Sequence, residues 1–238
     1  MTFTGKHLVV IGGSSGIGFR VAERAILAGA TVLIGGRSQD RLDAACARLG
    51  PAAEAASIDT ADPASIGRFF DGVERIDHLF TPGASYRVAS FRDADDETAR
   101  SPFEAKFWGQ YRAVRAALPK FSPQASVVLM SGAASARPPA AAAAYAACNG
   151  AIETLGRALA VELAPVRVNV VSPGTIDSDL WHGRPAPLRE AAFASYAGLS
   201  LLGRVGTVDE VVEAVMFLLG NGFMTGSTLF SDGGFALR

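Results

Sequence analysis

The chain is poor in the residues that carry several kinds of chemistry. It has only two cysteines, Cys46 and Cys148, and three histidines in 238 residues. Two thiols build no disulfide framework and suit a reducing, cytoplasmic setting. Cys148 reads as a small buried hydrophobe. The histidines lack metal-ligand spacing, so no metal site is expected. Charge is scarce as well: charged residues make up 19% and the formal net charge is −1. Without a basic field, nucleic acid is not an expected partner. The run "RDADDETAR" at 92–100 reads as a solvated face or helix start. Long apolar runs are missing too. The longest alanine run, 140–144, is far shorter than the roughly 18 residues of a membrane span, so no membrane association is expected. The N-terminus has no basic segment followed by a long apolar stretch, so no signal peptide is expected.

What the chain does have is a hydrophobic content of 49%, enough for a large core. Short apolar runs alternate with helix-spaced segments from end to end. Strands are predicted at 7–13, 31–36, 53–59, 78–83, 126–132, 166–174 and 227–234. Helices are predicted at 17–30, 38–50, 62–73, 100–117, 145–163 and 207–219. In the first helix Ile17, Val21, Ala25 and Ile26 share a face. Ser38 is an N-cap candidate, and Gly29 and Gly50 close helices. Apolar strands separated by helices imply an α/β fold, a doubly wound parallel sheet with helices on both faces. No linker or repeat divides the chain, so one domain is expected over 1–238. Residues 176–205 interrupt the alternation. They hold Pro185 and Pro187 with scattered aromatics, which suits an insert covering a substrate.

The run "VVIGGSSGIGFR" (9–20) sets Gly12, Gly16 and Gly18 between a strand and a helix. Free N–H groups and the positive end of a helix dipole favour a pyrophosphate there, which points to dinucleotide binding. The spacing is Gly-x-x-x-Gly-x-Gly, and other motifs accompany it. They are "SID" ending at Asp59, Tyr145 at a helix start, "NVVSPG" at 169–174 and "MTGSTLFSDGG" at 224–234. Over nearly its whole length the chain resembles the short-chain dehydrogenase/reductase family. The resemblance implies a Rossmann fold, a nicotinamide cofactor and a small-molecule substrate. It also implies a homodimer or homotetramer, built partly through the helices at 100–117 and 145–163. By the same resemblance Gly12, Ser14, Ser15, Gly16, Ile17, Gly18, Asp59, Thr60, Gly83, Pro173, Gly174 and Ile176 line the cofactor. In register with the family, Gly36 occupies the slot where NAD-preferring enzymes carry an acid, and Arg37 follows. A guanidinium can grip a 2′-phosphate that an acid would repel, so NADP(H) is expected, with Arg37 and Ser38 at that phosphate.

The resemblance also implies a catalytic tyrosine, a lysine four residues later, a serine and an asparagine. Tyr145 matches the tyrosine, but Asn149 stands where the lysine belongs. The family's asparagine, three residues before a glycine, is matched by Lys106 before Gly109. Lysine and asparagine thus look exchanged. The serine slot is Gly132, with Ser131 beside it and Ser135 nearby as substitutes for its hydroxyl. "TPGA" at 81–84 puts Pro82 under the nicotinamide, where a backbone donor is lost. A site with an intact cofactor half and a rewired tyrosine suits easily reduced acceptors, namely quinones or activated carbonyls. Trp181, His182, Phe193 and Tyr196 in the insert suit a flat or apolar substrate. Two other readings remain open: an ordinary alcohol dehydrogenase or carbonyl reductase, and a non-catalytic NADP-binding sensor.

Overall fold

The computed structural model describes residues 2–83 and 85–237. Its first strand, β1 (His7–Ile11), shows how the sheet arises. Leu8 and Val10 join one core and Val9 and Ile11 the other, so the strand buries both faces. The chain continues through α1 (Gly16–Leu27), β2 (Thr31–Gly36), α2 (Gln39–Leu49), β3 (Ala53–Ser57), α3 (Pro63–Asp71) and β4 (Ile76–Thr81). Then come α4 (Asp96–Pro102), a π-helical turn (Phe103–Trp108), α5 (Gly109–Ala117), β5 (Phe121–Met130) and α6 (Ala143–Glu162). The last part runs through β6 (Arg167–Pro173), β7 (Ile176–Asp177), α7 (Asp179–His182), α8 (Ala186–Leu199), β8 (Gly206–Thr207), α9 (Val208–Gly220) and β9 (Thr228–Ser231).

The main sheet has the order β3-β2-β1-β4-β5-β6-β9, and all its pairs are parallel. One face is covered by α1, α2 and α9, whose Val21, Leu42 and Val215 enter the first core. The other is covered by α3, α5 and α6, through Phe69, Val114 and Ile152. The strand order reverses between β1 and β4, which opens a cleft at their C-terminal ends. This is a Rossmann-type α/β fold.

Three differences from the predicted elements have physical causes. The single helix expected at 100–117 is broken into α4, the π turn and α5. Pro102 ends the first piece because it has no N–H to donate. Inserting the π turn re-aims Lys106 inward, as such turns commonly do at functional sites. Second, β5 begins at Phe121, earlier than expected. Pro123 is accommodated in a register irregularity against β4. Third, residues 176–205 hold two-residue strands, β7 and its partner β8 following just after, and two helices. No residue of α8 is buried in the chain. Among the described residues no helix is long and apolar enough to cross a membrane.

Candidate functional site

The cleft floor is glycine because backbone lies against backbone. A Cβ on Gly12 would stand 2.5 Å from the Gly83 Cα, and one on Gly18 2.1 Å from the Gly12 carbonyl oxygen. Gly83 N–H donates to the Ile11 carbonyl at 3.0 Å, which fixes the ends of β1 and β4 side by side. Gly16 is different. Its φ of +53° suits glycine, and a Cβ there would meet nothing within 4 Å. It faces open space at the start of α1, beside Ser15, whose side chain makes no cap. Gly16 N–H donates to Asp179 Oδ2 at 3.1 Å. An anion therefore already takes one of the donors at this helix start.

Around this floor, Ser14 Oγ lies 3.6 Å from where a Gly36 Cβ would stand. Arg37 is exposed at the end of β2, and Ser38 Oγ accepts from Arg41 N–H as the N-cap of α2. Asp59 Oδ1 accepts from Ala61 N–H at 3.0 Å, while Asp62 itself caps α3. Thr60 packs against Gly109 so closely that a Cβ on Gly109 would stand 2.9 Å from its Oγ1. Gly174 N–H donates to the Ser231 carbonyl at 3.1 Å, Pro173 ends β6, and Ile176 is buried in β7. Ile17 packs on the first core.

The reacting end gathers side chains from two elements and a loop. Tyr145 and Asn149 lie one turn apart on α6, and Lys106 comes from the π turn. Lys106 is buried. Its Nζ donates to Asn149 Oδ1 at 2.6 Å and to the Ser131 carbonyl at 2.7 Å. It stands 5.2 Å from the Tyr145 ring centre and 6.0 Å from that of Tyr86, within cation–π range. The Tyr86 and Tyr145 rings stack 4.9 Å apart at 21°. Burial opposes ionisation of Tyr145. The Lys106 ammonium, the Tyr86 hydroxyl and the Asn149 side chain outweigh it and hold the phenol below its usual value. Tyr86 moves the other way, because it is buried and faces the Tyr145 oxygen. The asymmetry makes Tyr86 the donor and Tyr145 the acceptor of the proton between them.

The expectation for Ser131 as a substrate partner does not hold in this geometry. Its hydroxyl lies 2.8 Å from Glu153 Oε1 and 3.0 Å from the Asn149 carbonyl, both acceptors on α6. Adjacent residues on a strand face opposite ways, and Ser131 keeps that alternation. Ser135 is drawn to the same Glu153 oxygen, at 2.5 Å. Gly132 is the residue whose Cβ direction points at the site: a Cβ there would stand 3.1 Å from the Tyr145 hydroxyl. Asn149 is 0% exposed, and its Oδ1 is held by Lys106.

Of the insert aromatics, Tyr196 alone borders the small cavity at Tyr145, about 60 Å³, which Pro139, Pro173 and Phe235 also line. Trp181 and Phe193 instead pack edge-to-face on each other at 5.6 Å, and His182 Nε2 bonds Asp177 at 2.7 Å. A larger cavity of about 350 Å³ continues past Tyr196 between Leu201, Phe230 and Phe235. Tyr86, Glu153 and Phe235 escape the sequence reading. Tyr86 lies in an aperiodic loop; only its place shortly after "TPG" could have flagged it.

A glycine floor at the sheet's reversal point, beside a half-buried tyrosine and a buried lysine, defines a Rossmann-type oxidoreductase. Comparison with known proteins narrows the class. A family model described as enoyl-(acyl carrier protein) reductase matches residues 11–236. The short-chain dehydrogenase/reductase ATR9 of Stachybotrys chlorohalonatus is 30% identical, over 100% of this chain and 99% of its own. A small-chain dehydrogenase solved in complex with NADPH is 30% identical with a TM-score of 0.84, covering 98% of this chain and 99% of its own. An NADPH-bound short-chain oxidoreductase from Pseudomonas aeruginosa PAO1, described as containing an atypical catalytic center, has a TM-score of 0.89 at 28% identity. That match covers 98% of this chain and 97% of the other. The chain belongs to the short-chain dehydrogenase/reductase family.

Proposed function

We propose that the protein is an NADPH-dependent reductase of quinones or activated carbonyls, in which Lys106 supplies the cation that the missing lysine would. The carrying observation is the Lys106 Nζ 5.2 Å from the Tyr145 ring centre, joined to Asn149 at 2.6 Å. The residues present fit the cofactor. The backbone contacts at Gly12 and Gly18 leave no room for side chains, while the Gly16 N–H already takes a carboxylate. Gly12, Ser14, Ser15, Gly16, Ile17 and Gly18 would hold the pyrophosphate, and Arg37 and Ser38 a 2′-phosphate. Asp59 and Thr60 would flank the adenine side, with Gly83, Pro173, Gly174 and Ile176 toward the nicotinamide. NADPH, when bound, supplies a hydride to the carbonyl carbon.

The chain's own residues then manage the proton. Tyr145 donates its phenolic proton to the substrate oxygen. The phenolate left behind is stabilised by the Lys106 charge and by the Tyr86 hydroxyl, which donates to it. Tyr196, Pro173 and Phe235 wall the cavity beside Tyr145 and help exclude water. We place the substrate cover within one domain, at 176–205, where α8 has no buried residue to hold it down. A cytoplasmic homodimer or homotetramer is the setting we infer. The exposed Trp108 and Val161 on the π turn and α6 suit subunit packing.

The test is NADPH oxidation with a panel of 1,4-quinones, 1,2-diketones and aldehydes, with NADH in parallel. Turnover favouring NADPH and quinones or diketones is expected. No turnover with any acceptor overturns the reading. An ordinary alcohol dehydrogenase or carbonyl reductase draws support from the lowered ionisation of Tyr145, since a phenolate can accept a proton. Rapid oxidation of simple alcohols near neutral pH would select it.

A further inference from the structure

Lys106 is buried, and its Nζ rests on two neutral oxygens, Asn149 Oδ1 at 2.6 Å and the Ser131 carbonyl at 2.7 Å. An ammonium with so little water depends on how well such acceptors are aimed. The Ser131 carbonyl is free for this task because of a proline. Met130 pairs with Val171 in the parallel ladder, and Ser131 N–H donates to the Val171 carbonyl at 2.9 Å. The next ladder bond would run to the Ser131 carbonyl from the N–H two residues past Val171. That residue is Pro173, which has no N–H. The sheet therefore holds Ser131 by its nitrogen and leaves its oxygen to Lys106.

Glu153 supplies the second hold. Three serine hydroxyls converge on its Oε1: Ser131 at 2.8 Å, Ser135 at 2.5 Å and Ser172 at 3.2 Å. They come from just past β5, from the turn Ala133–Ser135 and from the end of β6. Each hydroxyl has one proton, and a carboxylate is a stronger acceptor than the carbonyls that Ser131 and Ser135 also reach. Glu153 is half-buried on α6, one turn beyond Asn149 and two beyond Tyr145. One face of α6 thus carries the proton donor, the amide on Lys106 and this anchor.

We propose that Glu153 is a positioning residue: by gathering the Ser131, Ser135 and Ser172 hydroxyls on one oxygen, it fixes the chain just past β5 and aims the Ser131 carbonyl at Lys106. This rests on the reductase reading above and deepens it. Glu153 exchanges no proton in the reaction. It acts through Lys106, whose charge bears on the Tyr145 phenol.

Aiming and plain charge have opposite signs. The titratable groups that face Tyr145 are Lys106, Tyr86 and Cys148. If Glu153 only lent its negative charge, removing it would favour the phenolate and lower the Tyr145 ionisation. If Glu153 aims the seat of Lys106, removing it loosens the cation and raises that ionisation.

The test reads the Tyr145 ionisation in two ways. One is tyrosinate absorbance, taken as the difference from Tyr145→Phe. The other is the alkaline limb of kcat with NADPH and a 1,4-quinone. Glu153→Leu should raise both by about half a pH unit and lower kcat at neutral pH about threefold, the equivalent factor, with NADPH affinity unchanged. Glu153→Gln keeps the length and the accepting oxygen and should recover most of the shift. Ser131→Ala cuts only the link to the carbonyl and should shift in the same direction. Lys106→Met with Glu153→Leu should titrate as Lys106→Met alone does, because the aim counts for nothing without the cation. A downward shift or none in Glu153→Leu, no recovery in Glu153→Gln, an unmoved Ser131→Ala, or a further shift in the double variant would each overturn the proposal. If Glu153→Leu fails to fold, Ser131→Ala decides by the same sign. If the wild type turns over no acceptor, the reductase reading fails by itself. The tyrosinate titration then still decides for or against Glu153.

Discussion

Gly18 and Gly132 are glycines for opposite reasons. A Cβ at Gly18 would stand 2.1 Å from a backbone oxygen, a collision that no rotamer relieves. At Gly132 a Cβ would stand 3.1 Å from a tyrosine hydroxyl, a tight approach that a small shift absorbs. The cofactor half is thus built from backbone, and its residues are dictated by strand and helix positions. The reacting half is built from side chains that reach in from α6 and the π turn. Side chains can be exchanged between elements while the charge and donors stay in one place. In the proposed reading, Lys106 and Asn149 trade positions in this way while the glycine loop stays intact.

The sharpest way to separate the halves is Tyr145→Phe. It removes the proton donor and leaves the glycine floor alone. Reduction of an activated carbonyl should fall by about 10²–10⁴-fold, the usual worth of a positioned acid. NADPH affinity, read by fluorescence titration, should stay within a factor of two. If affinity fell in step with turnover, the two halves would not be separable. Gly18→Val is the reciprocal experiment. It should weaken NADPH binding by about a hundredfold, as loss of a close-fitted phosphate contact would. Turnover should fall with it, even with Tyr145 and Lys106 in place. A Gly18→Val protein that binds NADPH normally would refute a backbone-built floor.

Lys106→Met probes the charge that the reacting half depends on. Reduction needs protonated Tyr145, so activity falls as pH rises through the Tyr145 ionisation. Lys106 holds that ionisation below its usual value. Without the cation it moves up, so the alkaline limb of kcat should shift to higher pH. The rate at neutral pH should drop about tenfold, because the phenolate formed is less stabilised. Lys106→Arg should restore the limb if the charge matters and the geometry does not. An unmoved limb in Lys106→Met would show that the cation does not act on the phenol.

The contrast between the halves also explains what could be read from sequence. The strands and helices are legible because β1 and its neighbours are apolar on both faces, and that pattern admits little but a parallel sheet. Gly12, Gly16 and Gly18 are legible because their spacing follows from backbone geometry. The place of Lys106 is legible too, but its burial depends on the π turn, an extra residue per turn that periodicity does not announce. The direction of Ser131 depends on Glu153, a carboxylate eight residues past Tyr145 that no motif marks. Tyr86 is hidden because a stacked ring in a loop leaves no repeating pattern.

The mildest test lies in the cofactor half. Asp179, exposed on the four-residue α7, accepts the Gly16 N–H at 3.1 Å. A pyrophosphate using that donor must displace the carboxylate and then lie near its charge. Asp179→Asn keeps the size and an acceptor oxygen but removes the charge. NADPH affinity should rise by about two- to fivefold, the scale of one exposed charge interaction. The gain should shrink in high salt, because screening already weakens the repulsion in the wild type. kcat with saturating NADPH should stay the same, since Asp179 belongs to the phosphate end and not to the tyrosine. A change in kcat, or a gain indifferent to salt, would mean that α7 couples the two halves and that the cleft is one unit.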